Sequence, residues 1–126
     1  MAVRRGYGPR MWIITTRGFL SIVQNADAKT PNEALLVRAR TRADIDHFVD
    51  FAAAHGDRPD VTETPDFDYG FRLTTSRTAF ASYLSEYVEA LSYPNFKNEV
   101  GKSNVNRAHL YTRVWSVLRE LQELRR

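Results

Sequence analysis

The sequence has 126 residues and no cysteine. Without thiols it cannot form a disulfide, a thiolate metal site or a cysteine nucleophile. The absence of cysteine is typical of a reducing compartment, and we expect a cytoplasmic protein. Three histidines remain for chemistry near neutral pH. Of these, His47 and His55 are about two helical turns apart, which is too far for one helix to bring both onto one metal ion. We therefore expect no metal site.

Long apolar runs are also missing. No run approaches the ~20 residues that a membrane-spanning helix needs, so we expect no membrane contact. Hydrophobic residues make up 43% of the chain and charged residues 26%, which is typical of a globular, soluble protein. Residues 1–10 contain three arginines, two glycines and one proline. This composition predicts a flexible leader over residues 1–10 and a single α+β domain over residues 11–126.

Familiar catalytic motifs are absent as well. There is no G-x-S-x-G, no H-E-x-x-H and no glycine-rich dinucleotide turn. Gly101, Lys102 and Ser103 resemble the end of a phosphate-binding loop, but the first glycine of that loop is missing. We therefore predict a protein that is not an enzyme and holds no cofactor. The open alternative is an enzyme built on a cleft containing four polar residues, Asp66, Asp68, Tyr69 and Arg72.

Lysine is scarce, because 15 of the 18 basic residues are arginine and the net charge is +3. Arginine forks suit phosphate and carboxylate groups, although arginine-rich composition also follows from a GC-rich genome. Three of the arginines lie in residues 1–10, so the rest of the chain is close to neutral. Net charge alone therefore gives little support to nucleic-acid binding.

Hydrophobic periodicity predicts the order β-β-β-α-β-α-α. Such an order favours a mostly antiparallel four-stranded sheet with helices packed on one face, an α+β fold. The first helix should begin at Thr41, with Asp44 completing a capping box, and should end at Gly56. The predicted elements are a hairpin over 12–24, strands over 35–40 and 67–74, and helices over 41–55, 76–91 and 104–124, with a turn over 95–100 and a linker over 101–104.

Strand parity assigns the side chains of the predicted sheet to two faces. The apolar set Leu35, Val37, Tyr69, Phe71 and Leu73 should face the helices. Arg38, Arg40 and Arg72 should then face outward and form a basic patch that binds nucleic acid or an acidic protein. Ordinary exposed ion pairs, one of them to Asp68, are the alternative. We expect no stacking aromatics on that face, and we expect both Trp12 and Trp115 to be buried.

The C-terminal helix carries an apolar stripe. Five branched aliphatic residues recur at spacings of four and three, at positions 110, 114, 117, 121 and 124. Together with Tyr111, Trp115 and Leu118 it forms an apolar face wider than a coiled-coil seam, so we expect most of this face to be covered within the protomer. A homodimer that shares Leu121 and Leu124 is a further hypothesis.

Four motifs in fixed order carry a resemblance to a known family: M-W-x-x-T-x-x-G-F from Met11, T-P-x-x-D-Y-x-F-R from Thr64, Y-x-N-F-K from Tyr93 and Y-x-x-V-W from Tyr111. Together they resemble a family of small uncharacterised proteins from bacteria and their phages. The resemblance covers residues 11 to about 118. It implies an architecture and a phage or mobile-element setting, but no chemistry.

These observations favour a small binding or regulatory protein without enzymatic activity. Its predicted contact surface for a macromolecule is the sheet face of Arg38, Arg40 and Arg72. The alternative is a homo-oligomeric structural or interaction protein that assembles through its C-terminal helix. Nucleic-acid binding is the less favoured version. The identity of the partner, protein or nucleic acid, is left open at this point.

Overall fold

A computed structural model describes residues 10–25, 29 and 34–124. The chain divides into two compact units, one ending at Leu91 and the other beginning at Ser92, and each is described by itself. Of the predicted leader over residues 1–10, residues 1–9 lie outside the described part, and Arg10 is the first residue of a strand. The single domain over residues 11–126 stays a prediction.

The first unit is built on an antiparallel sheet of five strands in the order β1-β2-β3-β5-β4. The α+β class is therefore confirmed, with one short strand more than the four predicted. Two helices of this unit, α1 and α2, pack on the sheet. The elements are β1 (Arg10–Thr15), β2 (Gly18–Gln24), β3 (Ala34–Ala39), α1 (Arg42–Ala54), β4 (Thr62–Glu63), β5 (Phe71–Ser76) and α2 (Arg77–Ala90).

Strands β1 and β2 form the predicted hairpin. Thr15 is paired with Gly18, so only Thr16 and Arg17 form the turn. Gly18 has a φ of +134°, a conformation that side chains with a Cβ rarely adopt. A Cβ at this position would also lie 2.3 Å from the carboxyl carbon of Asp44. Glycine is therefore required here for its conformation and for the space it leaves.

Helix α1 begins and ends where the sequence predicts. The Thr41 hydroxyl accepts a hydrogen bond from the Asp44 amide, and Gly56, at a φ of +85°, follows the last turn. The buried Asp44 carboxylate accepts a hydrogen bond of 2.9 Å from the Phe19 amide, so this side chain joins α1 to the start of β2.

The core lies between the sheet and helices α1 and α2. Phe48 of α1 contacts the rings of Phe80 and Tyr83 of α2, with ring centroids 5.5 and 5.2 Å apart. Ser76, one of the two capping residues that the sequence offers beside Thr75, caps α2 by accepting a hydrogen bond from the Ala79 amide. Eleven buried side chains form this core: Leu20, Ile22, Leu35, Val37, Ala39, Ile45, Phe48, Ala52, Leu73, Phe80 and Tyr83.

The last strand of the first unit begins later than predicted. Residues 67–70 form turns and bends, and β5 starts at Phe71. Two hydrogen bonds tighten this segment, from the Phe67 amide to the Thr64 carbonyl and from the Thr64 amide to the Gly70 carbonyl. The alternation of apolar and polar residues from Phe67 onward resembles a strand, but the turn bonds fix a different backbone there.

The second unit contains two helices where the sequence predicts a turn, a linker and one helix. Helix α3 (Phe96–Ser103) runs through the predicted linker, and α4 (Val105–Leu118) is followed by a 3-10 turn (Arg119–Glu123). The Asn95 side chain caps α3, and Lys102 pairs with Glu99 at 3.1 Å. Capping and this i,i+3 pair favour a helix despite Gly101 in its last turn.

The apolar residues of α4 are mostly exposed. Tyr111 is the buried side chain of this helix, and it stacks on Phe96 with ring centroids 5.9 Å apart. The prediction that the stripe is mostly covered within the protomer is wrong, and so is the prediction of a buried Trp115, which is 56% exposed. Among the described helices, none combines the length and the apolar character that crossing a membrane requires.

We expect Gly18→Ala to lower the free energy of unfolding by about 2–3 kcal/mol, because the new methyl group meets the Asp44 carboxylate and the backbone is strained. Gly56→Ala is the matched control. It has a positive φ too, but nothing lies within 4 Å of its Cβ position, so the loss should be about 1 kcal/mol. Urea denaturation measures both. Equal losses would contradict the close contact between the hairpin and α1.

Candidate binding surface on the outer sheet face

We call the sheet face opposite α1 and α2 the outer face. Val37 and Leu73 are buried in the core and are paired across β3 and β5, so the next residues along each strand point to the outer face. Successive pairings connect one row of outer-face residues across all five strands. This row consists of Trp12, Ser21, Arg38, Arg72 and Thr62.

Arg38 and Arg72 are direct cross-strand neighbours in this row. Like charges in such positions destabilise a sheet unless other groups compensate for them. For Arg38, one Nη donates a hydrogen bond of 2.8 Å to the buried Ser21 hydroxyl. Its guanidinium also lies 4.8 Å from the centre of the Tyr69 ring, a cation–π contact.

Tyr69 is only 4% exposed, but it does not belong to the core under the helices. The prediction that it faces the helices is wrong, because it precedes β5 and therefore does not follow the parity of that strand. Its ring lies on the guanidiniums of Arg38 and Arg40, the second at 4.6 Å. Phe19 approaches the same ring at 6.3 Å.

Arg40 and Arg72 hold the backbone and side chains of the segment before β5. Arg40 is exposed and donates a hydrogen bond of 2.7 Å to the carbonyl of Asp68. Arg72 donates from Nε to the Thr64 hydroxyl, at 3.2 Å. Another nitrogen of Arg72 lies 3.5 Å from the Asp68 carboxylate, and its guanidinium is 4.7 Å from the centre of the Phe67 ring.

We call residues 64–70 the clamped loop, because all three predicted arginines contact it. Internal bonds complete it: the Thr64 hydroxyl donates to the Tyr69 carbonyl at 2.6 Å, and the Tyr69 amide donates to the Asp68 carboxylate. The T-P-x-x-D-Y-x-F-R motif therefore has a structural role. The alternative interpretation, in which Asp68 pairs with one of the three arginines, is met in part, because Asp68 pairs with Arg72 within this loop.

Exposed aromatic rings lie beside the arginines. Trp12 is 65% exposed and meets Phe19 edge-to-face at 5.5 Å, and Phe67 is 60% exposed. The predictions of a buried Trp12 and of an outer face without stacking aromatics are both wrong. The exposure of Trp12 could have been predicted, because successive residues of a strand point to opposite faces. Its neighbour Ile13 packs against the core, so Trp12 must point outward.

A shallow groove with a volume of about 420 Å³ lies beside Arg72 on this part of the sheet. Its lining combines a guanidinium, hydroxyl groups, one carboxylate and apolar surface. This mixture suits a polar anionic group next to an apolar one. The lining residues are Leu36, Asp60, Thr62, Arg72, Leu73 and Thr74.

The acidic residues and histidines of α1 do not converge on one point. Asp46 pairs with Arg42 at 2.8 Å, and Asp44 is directed towards Phe19. The His55 ring lies against Phe51, with Nδ1 2.9 Å from the carbonyl of that residue. Within residues 10–25, 29 and 34–124, no three such side chains are grouped as metal ligands. Whether Asp66 and Asp68 serve an enzyme stays an open prediction.

A second polar cluster, which the sequence reasoning missed, joins the hairpin turn to α2. The Thr16 amide donates to the Tyr87 hydroxyl at 3.1 Å, and the Arg17 guanidinium lies 5.5 and 4.9 Å from the rings of Tyr83 and Tyr87. Burial raises the pKa of Tyr83, although Arg17 opposes the shift. The sequence does contain a signal for this cluster, because Tyr83 and Tyr87 are four residues apart and therefore lie on one face of the helix.

Comparisons with protein-family models, with curated proteins and with solved structures found no match to this chain. The case for a function therefore depends on the geometry of the surface and on the sequence.

We expect Thr64→Val to lower the free energy of unfolding by about 1–2 kcal/mol, because it removes the hydroxyl that joins Tyr69 and Arg72. Thr62→Val on the neighbouring strand is the control. Thr62 is exposed, so its replacement should cost less than about 0.5 kcal/mol. Thermal or urea unfolding monitored by circular dichroism distinguishes the two variants. A Thr64 variant as stable as the control would show that the clamped loop adds no stability.

Proposed function

We propose that this protein is a non-enzymatic binding protein that contacts an anionic macromolecule through its outer sheet face. The observation that carries the proposal is the row in which Arg38 and Arg72 are direct neighbours, with exposed Trp12 at its edge. Arg40 adds a third guanidinium at the end of β3. Cations beside an exposed aromatic ring are typical of recognition surfaces.

The contacts of the arginines also support binding. A guanidinium has five N–H donors, and the hydrogen bonds that Arg40 and Arg72 donate to the clamped loop use only some of them. Because the clamped loop holds these side chains in place, a ligand would need to immobilise them less than mobile surface arginines. The same contacts thus stabilise the loop and preorganise the cations.

The charge around the surface favours an acidic protein segment over a nucleic-acid backbone. Residues 57–68 contain five acidic residues and one arginine, and two of the acidic residues, Asp60 and Asp68, lie at the groove or the clamp. This charge weakens long-range attraction of a polyanion. A protein carboxylate that reaches Arg40 or Arg72 at short range is affected less. On the sequence resemblance alone, we extend the proposal to a phage- or mobile-element-associated protein, and on the lack of cysteine to a protein of the cytoplasm.

The test is fluorescence polarisation with two labelled probes, a twelve-residue polyglutamate peptide and a twelve-nucleotide oligothymidine. Arg40→Gln and Trp12→Ala should each weaken peptide binding about five- to tenfold, because each removes a contact at an exposed side chain. Arg119→Gln, in the second unit, should leave binding unchanged.

Oligothymidine binding that falls steeply with salt, with a smaller slope when Arg38, Arg40 and Arg72 are all replaced by glutamine, would assign the surface to nucleic acid instead. Urea unfolding of every variant separates lost binding from lost folding. If neither probe binds, or if the arginine variants bind as well as the wild type, the outer face is not the contact surface.

As a second candidate function, we propose homo-oligomeric assembly through the C-terminal helix. The specific observation is the exposure of apolar residues in α4 and just beyond it: Leu121, in the 3-10 turn that follows α4, is 63% exposed, and Leu124, directly after that turn, is 67% exposed. Contiguous exposed apolar side chains on one helix are typical of an interaction surface. This function is compatible with ligand binding at the outer face, because the two surfaces use different residues.

Replacing both Leu121 and Leu124 with glutamate should convert an oligomer into a monomer at micromolar concentration, because four carboxylates would enter each dimer interface. Sedimentation velocity measures the change. Val105→Glu is the matched control: Val105 is 58% exposed on the same helix but lies away from the stripe. A wild-type protein that sediments as a monomer would rule out this candidate.

A further inference from the structure

The apolar stripe of the second unit has a defined composition. Its members are Leu110, Val114, Val117, Leu121 and Leu124, at alternating spacings of four and three. Val114 is half-buried and the other four are more than half exposed. Tyr111 turns away from the stripe towards Phe96 of α3. One side of α4 is thus occupied by α3, and the stripe lies on another side.

The stripe continues beyond the end of α4. A 3-10 turn follows, and in such a turn residues three apart lie above one another. Leu118, Leu121 and Leu124 therefore stay aligned, and Leu118 is also exposed. From Val105 to Leu124 this helical segment is about 30 Å long, which is enough for an extended contact with a second helix.

Two opposite charges flank the stripe on the same side. Arg113 and Glu120 are seven residues apart, which is two helical turns, and both are exposed. Each directly precedes a stripe residue, Val114 for the first and Leu121 for the second. In paired helices, charges in these flanking positions determine the partner and its orientation.

The net charge of this part of the chain restricts how two copies can pair. Residues 92–126 contain seven basic and three acidic residues, a net charge of +4, so two copies repel each other. In an antiparallel pair, residues on equivalent flanks face each other, and Arg113 would meet Glu120 twice. A parallel pair would instead place Arg113 beside Leu118 of the partner subunit, where no acidic side chain compensates the charge of the arginine.

We propose that two copies of this chain pair antiparallel through α4 and the 3-10 turn that follows it. In this arrangement Leu110 packs against Leu121 of the partner subunit, and Val114 packs against Val117 of the partner subunit. Arg113 lies beside Glu120 of the partner subunit, and the two-fold symmetry repeats this pair. The inference rests on the second candidate function and specifies its orientation and register. A second copy fits the surface because the apolar and charged positions are complementary to themselves under one two-fold axis.

The test is sedimentation equilibrium of the full chain from 1 to 200 μM, roughly the range for weak to moderate homodimers. Arg113→Glu and Glu120→Arg should each raise the dimer dissociation constant about tenfold, because each creates two like-charge contacts. The double swap should restore the wild-type constant within about twofold. An equimolar mixture of the two single variants should also form dimers, because the mixed pair has opposite charges at both contacts.

Arg119→Glu is the matched control, since it makes the same charge change on a different side of the helical segment. It should raise neither the dissociation constant nor the monomer fraction. Urea unfolding checks that each variant folds. If Arg119→Glu has no effect and the double swap restores the wild-type dissociation constant, the antiparallel register is supported directly.

Other outcomes overturn the inference in distinguishable ways. In one outcome, replacing both Leu121 and Leu124 with glutamate abolishes the dimer, but the double swap of Arg113 and Glu120 does not restore the wild-type dissociation constant. That result retains assembly through α4 and rejects the antiparallel register. A monomer at every concentration rejects the second candidate function as well. A monomer in which Trp115 fluorescence, followed in a Trp12→Phe background, changes on addition of an acidic amphipathic helical peptide assigns the stripe to a different partner. None of these results alters the proposal for the outer sheet face.

Discussion

The antiparallel register of β2, β3 and β5 is the constraint on which the first unit depends. It aligns Ile22, Val37 and Leu73 in one row, which is buried in the core. The adjacent residues Ser21, Arg38 and Arg72 form a second row, which lies on the outer face. A slip of one residue would bring two guanidiniums into the core and expose the aliphatic row. The free energy of burying the aliphatic row therefore also determines where the arginines lie.

Local interactions at both ends of the sheet reinforce this register. At one end, Gly18 allows the Asp44 carboxylate to reach the start of β2, so α1 and the hairpin are joined directly. At the outer face, the arginines hold the clamped loop against the strands through stacking on Tyr69 and a bond to Thr64. Charged side chains therefore fix the clamped loop on the outer face, whereas apolar packing fixes the helices on the opposite face.

The two units differ in how their apolar residues are used. Among its described residues, the first unit buries eleven side chains in one cluster between the sheet and α1 and α2. The second unit buries little beyond Val100 and Tyr111 and exposes most apolar residues of α4. Burial of apolar surface is the main favourable contribution to folding. A helix pair with so little buried surface would gain from a further contact, which is the physical basis for our proposal that α4 takes part in assembly.

Local pattern was sufficient for much of this fold. The hairpin, the cap at Thr41, the stop at Gly56 and the α+β class could all be predicted, because turn residues, capping side chains and periodicity act over a few neighbours. Tertiary structure alone decided where Tyr69 lies and what Asp44 binds, because both side chains contact residues distant in the chain. It also decided the exposure of the stripe, since periodicity shows which residues share a helix side but not what covers that side.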